Sequence, residues 1–133
     1  MKAQSARHYA KTYNQVALQS GLDGGDPHRL VQMLFDGALE KIAVAKGHLE
    51  RGHIPEKGHN IGWAISIIEG LTTSLDLDAG GSIAQNLFDL YDYMKRRLLE
   101  ANMTNDPAAL DEVAGLLREI KSAWDAIAPE RAA

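Results

Sequence analysis

The sequence predicts an all-α protein, an antiparallel up-down-up-down four-helix bundle with a mobile N-terminal arm. Apolar residues recur every three or four positions in four separate segments, which is the period of an amphipathic helix. The segments have matched lengths and short connections, which favour antiparallel neighbours. No alternating strand pattern competes. The 133 residues suffice for one domain, which we divide into an arm (1–25), a bundle (26–129) and a tail (130–133).

The first and fourth helices are predicted to begin at the same dipeptide, Asp-Pro. Asp26 and Asp106 can accept hydrogen bonds from the unpaired backbone N–H groups of the first turn. Pro27 and Pro107 fit the first helical position, where no N–H is needed. The predicted buried stripes are Leu30, Leu34, Ala38, Ile42, Ala45 and Leu49 in the first helix, and Leu110, Val113, Leu117, Ile120, Trp124 and Ile127 in the fourth.

Glycine and proline divide the middle of the chain. Gly52 followed by Pro55 is expected to end the first helix, and the second is predicted over about 56–75. The stretch 78–81 ends in two glycines and is expected to break the chain, so that Ser82 caps the third helix. The predicted stripes are Ile61, Ala64, Ile65, Ile68, Leu71 and Leu75 in the second helix, and Ile83, Leu87, Leu90, Met94, Leu98 and Ala101 in the third.

Composition excludes several classes of function. The chain contains no cysteine, which removes disulfides and thiolate chemistry and fits a reducing compartment. The net charge is −4, and beyond the mixed cluster Lys95-Arg96-Arg97 no basic patch suits a phosphate backbone, so we expect no nucleic-acid partner. We see no secretory signal and no apolar run long enough to span a bilayer, so we expect a cytoplasmic protein without membrane insertion.

Two carboxylate–histidine pairs match the spacing of di-iron bundles. Glu50-x-x-His53 and Glu56-x-x-His59 each place two ligands on one helical face. Both pairs flank the same turn at one extreme of the bundle, whereas a di-iron site needs them on separate helices in the interior. Solvated polar residues around a loop are the better interpretation.

Two further patterns fail on chemistry. The segment from Asp76 resembles a calcium loop, but its fifth place is Gly80 and its twelfth is Leu87 instead of a bidentate glutamate. His48 is the nearest candidate for histidine phosphotransfer, yet it lies near a helix end without a phosphate-binding loop. We therefore predict a protein that is not an enzyme and has no catalytic residues, no metal and no cofactor.

The chain carries more apolar residues than one stripe per helix requires. Most of the surplus should pack in wide stripes. Tyr91 and Tyr93 fit this explanation less well, because residues two apart on a helix point in different directions and cannot share one buried face. At least one ring should reach the surface or a groove between helices, where tyrosine suits a protein interface. An apolar groove on a bundle would receive an amphipathic helix or extended segment of a partner.

At this level the sequence resembles the flagellin-specific export chaperones of the FliS family. The resemblance covers nearly the whole chain and rests on blocks in a specific order. They are Tyr9 and Tyr13, DPHRLVQMLFDGA at 26–38, LD at 75–76, GGSIAQNL at 80–87, LYDYM at 90–94, RRL at 96–98, AN at 101–102, LDEV at 110–113, and LL at 116–117 followed by Trp124. Phe35 stands where the family often has tyrosine, and Asp26 where it usually has Ser or Thr.

The resemblance implies an antiparallel four-helix bundle and a chaperone function. Family members bind the disordered C-terminal segment of flagellin in the cytosol, block premature polymerisation and help present flagellin to the flagellar type III export gate. The client wraps along the bundle, and the N-terminal arm can cover part of the same surface. By position, the resemblance implies the partner-binding residues Tyr9, Tyr13, Leu30, Leu34, Asn86, Leu87, Tyr91 and Tyr93.

Two alternatives stay open at this point. A bundle of this kind could bind another secreted or regulatory protein. A pull-down that compares full-length with C-terminally truncated flagellin distinguishes that case. A phosphotransfer module is the more distant alternative, which a histidine-phosphate adduct in intact mass would reveal.

Overall fold

The computed structural model describes residues 26–128, which form four helices and, within that range, no strand. They are α1 (Pro27–Glu50), α2 (Ile54–Thr73), α3 (Leu77–Thr104) and α4 (Pro107–Ala126). Each helix packs against the next along the chain, and α4 packs back against α1, which closes a ring of four. Since only two or three residues separate consecutive helices, neighbours run antiparallel. The predicted four-helix bundle is confirmed.

The Asp-Pro signals begin α1 and α4 as predicted. The carboxylate of Asp26 accepts a hydrogen bond from the backbone N of Arg29 at 3.0 Å, and that of Asp106 accepts one from Ala108 N at 3.0 Å. In both helices proline follows the cap directly. At each helix start the aspartate side chain therefore satisfies one unpaired backbone N–H. Compared with alanine at the same position, it stabilises the fold by about 1 kcal/mol.

The predicted end of α1 is confirmed, because the helix stops at Glu50, just before Gly52 with its φ of 75°. Pro55 follows in the first turn of α2, where its missing N–H costs nothing. The predicted cap of α3 is wrong: Asp76, six residues before Ser82, accepts a hydrogen bond from Ala79 N at 3.0 Å and starts the helix. The predicted break at the glycines is confirmed as a kink: Gly81 takes φ 55° and ψ −131°, a conformation that only glycine adopts readily, and it separates a short first turn from the rest of α3.

The core lies between the four helices and is built mainly from Leu, Ile and Ala. Its largest fully buried apolar side chains are Phe35, Leu34, Ile61, Ile67, Ile68, Leu71, Met94, Leu98, Leu110, Leu117 and Val113. One charged residue is buried with them. Lys57 is 2% exposed, and its ammonium donates to the Asn102 carbonyl at 2.8 Å and to Asn105 Oδ1 at 2.7 Å. It thereby satisfies the C-terminal end of α3, where a cation also complements the helix dipole.

Within residues 26–128, none of the helices α1 to α4 is both long and apolar enough to cross a bilayer.

Candidate functional site: an apolar groove at one end of the bundle

The apolar stripes of α3 and α4 continue beyond the core. Leu98 and Met94 of α3 are fully buried, whereas Ile83, predicted to lie in the same stripe, is 72% exposed. In α4, Leu117 is fully buried but Ile127 is 68% exposed. The reason is length: α3 has 28 residues and α2 only 20, so the first turns of α3 extend past the helix that should cover them. Apolar side chains are left facing open space.

These uncovered turns form one wall of an apolar groove with a volume of about 810 Å³. The other walls are the start of α1, the connection between α2 and α3, and the last two turns of α4. The lining residues are Val31, Phe35, Ser74, Leu75, Asp76, Ala79, Gly80, Ile83, Ala84, Leu87, Tyr91, Glu119, Ile120, Ala123, Trp124 and Ile127. Two of the sixteen are charged, and both are acidic.

The glycine pair sets the position of the α3 wall. A side chain at Gly80 would bring its Cβ to 2.6 Å from Ala84 Cβ, so the first turn lies closer to the next than any other residue type allows. The backbone then turns at Gly81, and Ala79 and Gly80, which precede this turn, line the groove. The close approach at Gly80 and the backbone turn at Gly81 both require glycine, so the Gly-Gly pair shapes the groove.

The opposite rim is held by contacts between α1 and α4. The indole of Trp124 stacks on the ring of His28, with centroids 4.3 Å apart and planes 7° from parallel, and its Nε1 donates to the His28 carbonyl at 3.0 Å. One residue on, Asp125 accepts from Gln32 Nε2 and from Lys121 Nζ, both at 2.7 Å. These hydrogen bonds, that from Lys121 foremost, lower the pKa of Asp125. Trp124 is therefore positioned before any partner arrives.

The two tyrosines of α3 have different surroundings. Tyr91 is 3% exposed and packs in the core, but its ring also lines the groove. Burial raises the pKa of its phenol to about 12. Tyr93 is half-buried outside the groove and donates to Glu112 Oε2 at 2.5 Å, while Arg97 Nε donates to Glu112 Oε1 at 2.7 Å. Tyr93 thus ties α3 to α4.

The hydrogen bonds around Glu112 shift two pKa values in opposite directions. Donation from Tyr93, and then from Arg97, lowers the pKa of the Glu112 carboxyl. The same bond to Glu112 raises the pKa of the Tyr93 phenol. The network is therefore complete across neutral pH, with the carboxylate ionised and the phenol protonated.

The structure brings together only some of the predicted site residues. Leu87 and Tyr91 line the groove. Leu34 is buried in the core, and Leu30 is half-buried outside the groove lining. Asn86 is exposed on α3 but is not part of the lining.

Tyr9 and Tyr13 lie outside the described residues, and so does Pro129, the predicted end of the fourth helix. Sequence reasoning placed Ile83, Ile120, Trp124 and Ile127 in core stripes and missed their position in the groove. The sequence indicated this position in part, because the apolar stripes of the third and fourth helices both extend toward the end of the bundle where α1 starts.

The polar side chains away from the groove form pairs and small hydrogen-bond networks, such as the one around Glu112. His48 Nδ1 and His53 Nδ1 lie 3.3 Å apart at the α1–α2 connection, at the far end of the bundle. Within residues 26–128 no group of three or more His, Asp or Glu side chains is arranged to hold a metal ion. The residue that opened the calcium-like pattern, Asp76, uses its carboxylate to cap α3. What the groove can do chemically is bury an apolar segment.

Comparison with known proteins gives a consistent result. The family model for flagellar protein FliS matches residues 9–131. The chain is similar to flagellar secretion chaperone FliSB of Pseudomonas aeruginosa, 52% identical over 117 residues, covering 88% of this chain and 93% of that protein. It is also similar to the flagellar secretion chaperones FliS of Salmonella typhimurium, 48% identical over 121 residues (90% of each chain), and of Vibrio cholerae, 45% identical over 120 residues (90% and 88%).

Proposed function

This chain belongs to the FliS family of flagellar secretion chaperones, and we propose that its groove binds the C-terminal segment of flagellin in the cytoplasm. Bound in this way, flagellin is kept from polymerising prematurely and is delivered to the flagellar type III export apparatus. The protein acts by binding alone, without catalysis.

The observation that carries this proposal is the uncovered apolar groove. A groove of about 810 Å³ lined almost wholly by apolar side chains is a site for a partner's apolar surface. Its walls are helix ends and a prearranged indole, which suits the apolar face of an amphipathic helix laid between them. Ile83 and Ile127 each lose most of their exposed area when such a segment binds, which provides the driving force.

The proposed mechanism follows from competition for one apolar face. A flagellin segment must bury that face to polymerise, so a chaperone that covers it first prevents assembly. A disordered segment orders as it binds, at a cost of roughly 2–5 kcal/mol, which keeps the affinity moderate enough for later release. In the free chaperone the arm covers the groove, and Tyr9 and Tyr13 are the residues that dock there and leave when flagellin arrives.

The test compares full-length flagellin with flagellin that lacks its C-terminal segment. Isothermal titration calorimetry with the full 133-residue chaperone should show binding to the first, with a negative heat-capacity change from apolar burial, and no binding to the second. The isolated C-terminal segment should restore it. Equal affinity for both flagellins contradicts the proposed segment, and absence of binding to either contradicts flagellin as the client.

A further inference from the structure

We propose that His48 and His53 together bind a divalent transition-metal ion, and that Zn²⁺ is the ion whose geometry they fit. Both residues lie at the connection between α1 and α2, at the opposite end of the bundle from the groove. This inference does not rest on the proposed function, since no residue of the groove takes part. The chain supplies two ligands, and the other positions around the ion are left to water or to a donor of another molecule.

The backbone of the connection fixes the two histidines relative to each other. Helix α1 ends in two hydrogen bonds, from His53 N to the His48 carbonyl at 2.8 Å and from Gly52 N to the Leu49 carbonyl at 3.2 Å. With Gly52 at φ 75°, these bonds form a Schellman motif. The two residues joined by its outer bond frequently make an apolar side-chain contact, and in this chain both carry an imidazole. The two ligands are therefore held side by side before an ion arrives.

The spacing of the ring nitrogens matches a tetrahedral ion. His48 Nδ1 and His53 Nδ1 lie 3.3 Å apart. Two nitrogens bound to one tetrahedral zinc ion, each at about 2.0–2.1 Å, are separated by about 3.3–3.4 Å. The right angles of a square-planar or octahedral ion would bring two such nitrogens to about 2.8–3.0 Å. Because the last torsion of a histidine side chain is broad, both lone pairs can be directed at an ion between the rings.

The hydrogen bonds around His48 leave its Nδ1 in the form that a metal ion needs. Arg51 Nη2 lies 3.4 Å from His48 Nδ1, and a guanidinium group can only donate. His48 Nδ1 is therefore the acceptor, and this network assigns the ring proton to Nε2. In the contact between the two rings, His53 Nδ1 is then the donor. Zinc replaces this hydrogen bond when the proton of His53 moves to its Nε2, so both rings stay neutral and bind through Nδ1.

Two local charges act on a cation at this site. The guanidinium of Arg51 opposes it, but Arg51 is exposed and can turn toward water. The C-terminal end of α1 favours it, because the last carbonyl groups of a helix carry partial negative charge. With two protein ligands instead of four, the dissociation constant for zinc should be on the order of 10–100 µM, far weaker than that of a structural zinc site.

The experiment is isothermal titration calorimetry of zinc chloride into the full chain, without an affinity tag and in a buffer that does not bind zinc. The parent should bind zinc, and His48→Gln and His53→Gln should each bind it at least about tenfold more weakly, since even the loss of a supporting residue costs metal sites about 10–100-fold. His59→Gln is the matched control, an exposed histidine of α2 outside the pair, and should bind zinc as the parent does. Mg²⁺ should not bind, because it prefers oxygen ligands.

Nitrogen NMR of the histidine rings identifies the ligand atoms. Zinc should shift the Nδ1 resonances of His48 and His53, and acid should abolish the shift because ligation requires neutral imidazole. Arg51→Gln should raise the zinc affinity by about two- to fivefold, through removal of an exposed like charge. Undiminished zinc binding in His48→Gln or in His53→Gln overturns the proposal, and so does ligation through Nε2. Because both rings lie outside the core, these variants should melt with the parent in the absence of zinc, which excludes unfolding as the cause of lost binding.

Discussion

Replacing Ile83 by Gln separates client binding from folding more cleanly than any change in the core. The side chain is 72% exposed in the free protein, so a polar residue of similar length should leave the melting temperature nearly unchanged. Fully burying an isoleucine is worth about 1.5–3 kcal/mol, and roughly seven-tenths of that is still available to a partner, about 1–2 kcal/mol. The dissociation constant should therefore rise about 5- to 30-fold.

Met103→Gln is the matched control. Met103 lies on the same helix and is 80% exposed, but it lies near the C-terminal end of α3, outside the groove. Because the arm is proposed to compete for the same wall, both variants are measured in a chain carrying Tyr9→Ser and Tyr13→Ser. Otherwise weaker docking of the arm would offset weaker binding of the client.

The assay is calorimetric titration with the C-terminal flagellin segment, beside thermal unfolding followed by circular dichroism. We expect weaker binding for Ile83→Gln alone and equal melting temperatures for both variants. If the two variants bind the segment equally well while remaining folded, the groove is not the binding site, and the argument from uncovered apolar area is wrong.

Three further predictions concern stability. Gly81→Ala should lower the free energy of unfolding, measured by urea titration, by about 1–3 kcal/mol, because alanine does not readily adopt φ 55°. The control Gly62→Ala has nothing near its Cβ position and should instead stabilise α2 by about 0.5–1 kcal/mol. Lys57→Met should lower stability by about 1–3 kcal/mol, because the Asn102 carbonyl loses its donor; unfolding at the parent's urea midpoint would contradict this. Glu112→Gln should melt below the parent at pH 7, because the pKa of Glu112 is lowered from 4.5; the difference should shrink as pH falls through that lowered pKa, and a constant difference would refute the linkage.

The bundle was predictable because its signals are local. An Asp-Pro pair specifies a helix start through two short-range effects, a carboxylate that accepts an N–H three or fewer residues away and a ring that fixes φ. The alternation of three- and four-residue steps then identifies the buried face. Asp26 and Asp106 both start helices as predicted, since nothing distant competes with those interactions.

The start of α3 was not predictable by the same means. Two adjacent glycines favour a break in a helix, and Gly81 does interrupt α3, but Asp76 provides an earlier cap, so that a first turn precedes the break. Burial of Lys57 was equally hidden. Its partners lie 45 and 48 residues further along the chain, and only the packed bundle brings them to its ammonium group.

The groove itself could not be located from periodicity. A stripe shows which face of a helix is apolar, not whether another helix covers that face. Ile83 and Leu98 share the predicted stripe of α3, yet one is 72% exposed and the other fully buried. The difference depends on where α2 ends relative to α3, which is a property of the assembled helices.

An uncovered apolar groove places opposing demands on a chaperone, because it must be covered to avoid self-association and open to receive its client. The antiparallel arrangement favours one solution, since α1 begins and α4 ends beside the groove, as the contact between His28 and Trp124 shows. If a segment tethered there covers the groove, as the proposed function holds, it does so without needing high affinity. A client that brings more apolar area can then displace it, because the exchange replaces a weak contact with a larger buried area.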